Sequence, residues 1–140
     1  MGVRELFRID RKGFFPPDAE IREAPGKGRG VFSTRKYARN ELIERAPTFT
    51  FEDNMLTLLM ESNGGRTIFH DYAFNKGGTV HMALGWASLY NHNGENNAHW
   101  KVDNDTQSIE IRARKDIEAG EEITILYVND ESLLWFAKAD

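Results

Sequence analysis

The chain contains no cysteine. That excludes disulfides, thiolate zinc sites and a cysteine nucleophile. Long apolar runs are missing too: none approaches the ~20 residues that span a bilayer. The first residues, with Arg4, Arg8, Arg11 and Lys12 around Leu6-Phe7, lack the apolar core of a signal peptide. A soluble, intracellular protein with no membrane contact is expected. The balance of charge is not basic. A net charge of −4 argues against sequence-independent nucleic-acid binding and suits a basic peptide partner. Neither a GxxxxGK[ST] phosphate loop nor a GxGxxG after a strand occurs, which counts against nucleotide hydrolysis, and no serine elbow is present. His70, His81, His92 and His99 lack paired metal-ligand spacing. Asp103-x-Asp105-x-Gln107 has no Gly at the sixth position and no Glu at the twelfth of a calcium loop, so it reads as turn polarity. No metal is expected.

What is present fits one domain. A chain of 140 residues with 40% hydrophobic content and three Trp buries a real core. Residues 1–20 read as an N-terminal arm or edge strand, closed by Pro16-Pro17. Ile21 to Glu23 and Gly30 to Ser33 read as two strands about a Pro25-Gly26 turn, with glycines at 26, 28 and 30 leaving the backbone open to close approach by a ligand. Arg35 to Ile43 and Lys115 to Ile123 echo each other as strand, turn, strand. Asn40 and Gly120 fall at the same place in each, both tolerant of a left-handed turn, with Tyr37 and Ile117 beneath. Two similar β units therefore frame the domain. Asn54 to Ser62 has helical spacing and stops at Gly64-Gly65. Lys76-Gly77-Gly78 is a flexible stretch, and Val80 to Tyr90 a strand or short helix. Trp100 and Val102, then Ile109, Ile111 and Ala113, alternate with polar residues around Asn104-Asp105 as a half-buried antiparallel hairpin. A mostly β fold follows.

Two short clusters flank that hairpin: Leu89-Tyr90-Asn91-His92 with Asn97-Ala98, and Glu121 to Tyr127. A hairpin can bring its flanks together, so a shared site is expected. Asn91 and His92 offer an amide and an imidazole, and Tyr127 ends an apolar strand with a phenol. Such a set suits a polar, partly cationic ligand beside an aromatic wall.

Asn91-His92-Asn93-Gly94-Glu95-Asn96-Asn97-Ala98 resembles the Asn-His-Ser-Cys-x-Pro-Asn-Ala signature of SET-domain protein lysine methyltransferases, and Glu122 to Tyr127 resembles their Glu-(Leu/Ile)-Thr-x-x-Tyr segment. Gly28-Arg29-Gly30-Val31-Phe32 resembles their Gly-x-Gly-Val-Phe. The three stand in the family's order. Asn93, Gly94 and Asn96 replace Ser, Cys and Pro, and Leu126 stands where many members carry Asp. The whole is most similar to compact viral and bacterial members without flanking zinc modules.

The resemblance implies a SET-domain (β-clip) fold of several small sheets and a few short helices. Its C-terminal pseudoknot has the Asn91-His92 strand threaded under the C-terminal segment. It assigns residues 21–130 to the SET domain and 131–140 to an apolar tail packing on it. The implied activity is S-adenosylmethionine-dependent methyl transfer to a lysine side chain of a protein or peptide, a histone or other basic protein, in the cytoplasm or in a host nucleus. A catalytically silent cofactor- or peptide-binding module is the alternative. Tyr127 is implied as catalytic. Gly28, Arg29, Gly30, Asn91, His92 and Trp135 are implied as cofactor-binding, and Tyr72, from Asp71-Tyr72-Ala73-Phe74, joins Tyr127 in the lysine channel. The tail, with Leu133, Leu134, Trp135 and Phe136, is expected either to cover the site or to form a core plug or homodimer contact.

Overall fold

The two echoing segments meet face to face. In a computed structural model describing residues 13–52, 54–65, 73–76 and 78–127, Tyr37 and Ile117 pair in an antiparallel bridge. Tyr37 N donates to Ile117 O at 2.8 Å and Ile117 N to Tyr37 O at 2.9 Å. The surrounding bonds repeat the exchange. Asn40 N donates to Ala113 O at 2.8 Å and Gly120 N to Ser33 O at 2.7 Å. Ala113 N donates to Glu41 O and Ser33 N to Glu121 O, each at 2.9 Å. Each turn is thus closed on the strand that leads into the other, a local two-fold relation. Both turns need the left-handed region, at φ 71° for Asn40 and 89° for Gly120, where Gly is unstrained and Asn is tolerated.

By contact the chain divides into two compact units. One comprises the described residues within Met1–Pro17, Glu44–Ser88 and Lys101–Glu110, and the other those within Asp18–Ile43, Leu89–Trp100 and Ile111–Asp140. Among the described residues the strands are β1 (Ala19–Ala24), β2 (Gly28–Ser33), β3 (Leu42–Glu52), β4 (Ala73–Lys76), β5 (Thr79–Ala83), β6 (Asn91–His92), β7 (Ala98–Asp103), β8 (Ser108–Ala113) and β9 (Glu122–Ile125), joined by an α-helix, α1 (Asn54–Asn63), and a 3-10 turn at Ala87–Leu89.

The second unit holds the paired turns and a four-stranded sheet ordered β1-β2-β9-β6. β1 and β2 form an antiparallel hairpin in register from Ala19↔Ser33 to Ala24↔Gly28, and β9 adds through Val31↔Ile123 and Phe32↔Glu122. β6 then pairs with β9 in parallel, Asn91↔Thr124 and His92↔Ile125. Val31, Tyr37, Ile43, Tyr90, Ala98, Ile111, Ala113, Ile117, Ile123 and Ile125 fill the core of this unit, each at most 1% exposed.

In the first unit strands run β4-β5-β3-β8-β7, with β3, β8 and β7 contributing residues 44–52, 108–110 and 101–103. β4 and β5 pair antiparallel with Lys76 opposite Thr79, and Gly78, just before β5, has φ 82°. Glycine adopts that left-handed value without strain. The run at 103–107 is a turn, as its polarity indicates. Asp103 Oδ1 accepts from the backbone N–H groups of Asp105 and Thr106 at 2.9 and 3.2 Å. The Thr106 N–H first of all, and then the other donors, hold the exposed Asp103 carboxyl below its ordinary range. Arg45 and Glu110 form a mostly buried ion pair. Of the described helices, none is long and apolar enough to cross a membrane.

Candidate functional site in the second unit

Strand β9 lies between β2 and β6 in one sheet, which brings Arg29 and Gly30 within reach of Asn91 across it, with Tyr127 just past the end of β9. The parallel pairing of β6 and β9 sets the register. His92 opposes Ile125, and Asn93 N continues the ladder by donating to Ile125 O at 3.0 Å. Tyr127, two residues further on, folds back onto His92. Its backbone N–H donates to His92 Nδ1 at 3.0 Å, and the two rings lie 5.2 Å apart, tilted by 54°. Because Nδ1 accepts, a neutral His92 carries its proton on Nε2.

The Tyr127 phenol is fixed as well. Its O–H donates to the carbonyl oxygen of Tyr90 at 2.6 Å. Tyr90 is fully buried, so this acceptor is rigid, and the bond sets the orientation of the ring. A phenol that donates one hydrogen bond still carries acceptor lone pairs. The half-buried Tyr127 oxygen therefore sits as a positioned acceptor at the end of β9.

Asn91 bridges the other two strands. Nδ2 lies 2.9 Å from Arg29 O on β2 and 2.7 Å from Glu122 Oε2 on β9. It is the Arg29 carbonyl, rather than its exposed side chain, that takes part here. Gly30 is bare for a reason internal to the protein. A Cβ there would stand 2.9 Å from Asn91 Nδ2 and 3.1 Å from Ala24 Cβ, and would collide with the Glu122 carboxylate. At Gly28 (φ 79°) the constraint is conformational, since an added Cβ would meet no heavy atom of the described residues within 4 Å.

Beneath the site a second asparagine clamps β9. Asn97 is 6% exposed; its Nδ2 donates to Glu122 O at 2.8 Å and its Oδ1 accepts from Thr124 N at 2.9 Å. A side-chain amide thereby satisfies a buried strand edge as a neighbouring strand would. Arg114 in turn donates to Asn96 O and Oδ1 at 3.2 and 3.0 Å, and Trp100 Nε1 donates to Leu126 O at 3.0 Å. The loop 93–97 keeps its place although Asn93, Gly94 and Asn96 depart from the usual motif, because Asn93 Oδ1 caps Glu95 N at 2.9 Å and Asn96 Nδ2 bonds Ala98 O at 2.7 Å.

Of the residues singled out from sequence, Gly28, Arg29, Gly30, Asn91, His92 and Tyr127 come together in this unit. Tyr72 and Trp135 lie outside the described residues. Glu122 and Tyr90 went unnoticed as individual residues. The signal for Glu122 was its place at the head of the Glu-Ile-Thr segment, but nothing local says that its carboxylate meets Asn91.

Residues 28–128 match the SET domain model. The chain belongs to the SET-domain family of protein lysine methyltransferases. It is 32% identical over 118 residues to the histone-lysine N-methyltransferase, H3 lysine-37 specific, of Schizosaccharomyces pombe, covering 84% of this chain and 76% of that protein. Among solved structures, a candidate histone methyltransferase of Plasmodium falciparum superposes with a TM-score of 0.63 at 25% identity, covering 87% of this chain and 99% of that one. The β-rich SET architecture expected from sequence is the one observed.

Proposed function

We propose that the sheet β1-β2-β9-β6 of this SET domain binds S-adenosylmethionine and transfers its methyl group to a lysine side chain of a histone or similarly basic protein. The observation that carries the reading is the convergence of Asn91, His92 and Tyr127 on the parallel β6/β9 pair, with the phenol oriented by the buried Tyr90 carbonyl. The donor set fits the cofactor. The backbone at Gly28, the strand through Arg29 and Gly30, and half-buried Asn91 and His92 offer neutral hydrogen-bonding groups of both kinds for a polar ligand with a purine at one end and an amino acid at the other.

S-adenosylmethionine supplies a methyl group already activated on a sulfonium, so no metal and little acid-base machinery are needed beyond a neutral lysine. The protein's task is alignment, which is worth several kcal/mol in a bimolecular displacement, on the order of 7 when well oriented. Tyr127 is the aligning group: its oxygen can accept weak C–H···O contacts from a polarised methyl, and its ring walls the approach of the lysine. Excluding water there favours the neutral amine, whose ordinary pKa of about 10.4 otherwise keeps it protonated. The substrate class rests on the histone-directed names of the relatives and on the net charge of −4, which attracts a basic peptide. A histone substrate carries with it an intracellular, nuclear site of action.

Calorimetric titration with S-adenosylmethionine, followed by mass spectrometry of a histone mixture incubated with isotopically labelled cofactor, tests this. Saturable binding and labelled lysine are expected. A folded chain that does not bind the cofactor would overturn the reading, and binding without transfer to any lysine would leave a silent module.

A further inference from the structure

Two of the substitutions in the loop after β6 put an asparagine before a glycine. Asn93 and Gly94 stand where the usual motif has Ser and Cys, and both are exposed. In such a pair the backbone nitrogen of the glycine, with no Cβ to crowd it, can attack the amide carbon of the asparagine side chain. The local geometry favours that attack. Asn93 Oδ1 accepts from Glu95 N at 2.9 Å, which draws electron density from Cγ and holds an N–H donor where negative charge develops as the nitrogen adds. Among the described residues neither the nucleophile, Gly94 N, nor the leaving group, Asn93 Nδ2, has a hydrogen bond to give up.

The same pair occurs once more, at Asn63-Gly64, with the opposite setting. Asn63 is the last residue of α1, and Gly64 N donates to Glu61 O at 3.4 Å. That nitrogen is engaged in the helix's own bonding, which has to break before it can attack.

Loop 93–97 is tied to β9 at both ends. Asn93 N donates to Ile125 O at 3.0 Å, and the Asn97 amide grips Glu122 O and Thr124 N at 2.8 and 2.9 Å. Next to the first tie, His92 Nδ1 receives the Tyr127 N–H. A loop pinned in this way has no slack for an extra main-chain atom.

We propose that Asn93-Gly94 is a self-modification site, a deamidating pair whose isoaspartyl product loosens the loop from β9 and takes the site out of use. Gly94 N yields its proton to solvent as it bonds to Asn93 Cγ; the Cγ–Nδ2 bond breaks, Nδ2 takes up a proton and leaves as ammonia, and a succinimide ring closes. Water, the only co-reactant, then opens the ring. Attack at Cγ restores the ordinary main chain with aspartate at this position, whose carboxylate still accepts from Glu95 N. Attack at the main-chain carbonyl leaves Gly94 N on Cγ, an isoaspartyl link longer by one carbon, about 1.5 Å. The loss of cofactor binding rests on the assignment of this sheet to S-adenosylmethionine, whereas the modification itself does not.

The test ages the full chain in mildly alkaline buffer and follows it by peptide mass spectrometry, thermal melts and calorimetric titration with S-adenosylmethionine. The peptide carrying Asn93 should gain about 1 Da and resolve into aspartyl and isoaspartyl forms. It should do so about tenfold or more faster than the peptide carrying Asn63, as expected where one nitrogen is free and the other hydrogen-bonded. The melting midpoint and the cofactor-binding fraction should fall as the isoaspartyl fraction rises. Asn93→Ser cannot form the ring, and its hydroxyl can still accept from Glu95 N; it should bind the cofactor within about twofold of fresh wild type and hold both readouts on ageing. If that variant fails to fold, Gly94→Ala gives the same comparison, since its Cβ crowds the attacking nitrogen and Gly94 has no left-handed φ. No mass gain at Asn93, equal rates at the two pairs, an isoaspartyl form as stable as its parent, or parallel ageing of wild type and the non-cyclising variant would overturn the proposal and leave the cofactor assignment standing. A fresh wild type that does not bind S-adenosylmethionine would overturn that assignment alone, and the mass and melting readouts would still decide the modification.

Discussion

Ser33–Glu41 and Ala113–Glu121 build nearly the same object twice. Ser33 and Ala113 are small and buried, Tyr37 and Ile117 fill the bridge, Asn40 and Gly120 make the left-handed turn, and each turn is bonded to the strand before the other. The chemistry is not shared. Where the first segment is preceded by Gly28-Arg29-Gly30, the second is preceded by Ser108-Ile109-Glu110; where the first is followed by Leu42, the second is followed by Glu122 and ends in Tyr127 rather than Pro47. The frame needs only small, apolar and turn-forming residues at fixed places. A site arises where that frame also carries a glycine that makes room, a carboxylate that fills it and a phenol at the strand end.

The sharpest way to break the comparison is at Tyr127, which has no counterpart in the first segment. Tyr127→Phe should lower single-turnover methyl transfer by roughly 10²–10⁴, as for a positioned catalytic group, with much less change in calorimetric cofactor affinity. Equal rates would remove the phenol from the mechanism.

Next is the room at Gly30. Gly30→Ala should destabilise by about 1–3 kcal/mol in urea unfolding, because the new methyl overlaps Asn91 and Glu122. Loss of cofactor affinity should accompany it in the protein that stays folded. A neutral effect on both would show that the β2/β9 contact is looser than described.

Exchanging the turn residues should matter least to the frame. Asn40→Gly is expected to stay within about 0.5 kcal/mol of wild type, and Gly120→Asn to cost less than about 1 kcal/mol, since both residues accept the left-handed region. Gly120→Val, measured in the same melts, should be far worse than either.

The first unit offers a quieter contrast. In the second unit buried amides are tied to strands, whereas His81 is fully buried and both its ring nitrogens lack a hydrogen-bond partner among the described residues. Burial first, and then the nearby Lys76, hold its pKa below the usual histidine range. The folded state therefore resists the proton. Above the ordinary value near 6.5 the group is neutral folded and unfolded alike; as the pH falls through that value the unfolded chain takes up a proton first, and stability drops. The urea midpoint of wild type should fall between pH 7 and pH 5 by more than that of His81→Phe. Parallel declines would mean that other groups carry the acid sensitivity.

Much of the molecule was legible in its sequence because local geometry is locally encoded. The alternation of Val102, Ile109, Ile111 and Ala113 marks their buried faces, Asn40 and Gly120 announce their turns, and Asn54 to Gly65 describes a helix with its stop, all within a few residues of the structure's own bounds. The similar spacing in 35–43 and 115–123 even indicated twin β units. Tertiary structure decided which strands meet. Nothing around Asn91 says that β6 runs parallel to β9, nothing along 44–52 advertises the long β3, and nothing local says that Lys76 lies opposite Thr79. The same holds for the site. Glu122, Asn91 and Gly30 are each ordinary in their own segments; they acquire meaning because a carboxylate, an amide and a missing side chain from three strands occupy one space, and that packing is specified only jointly.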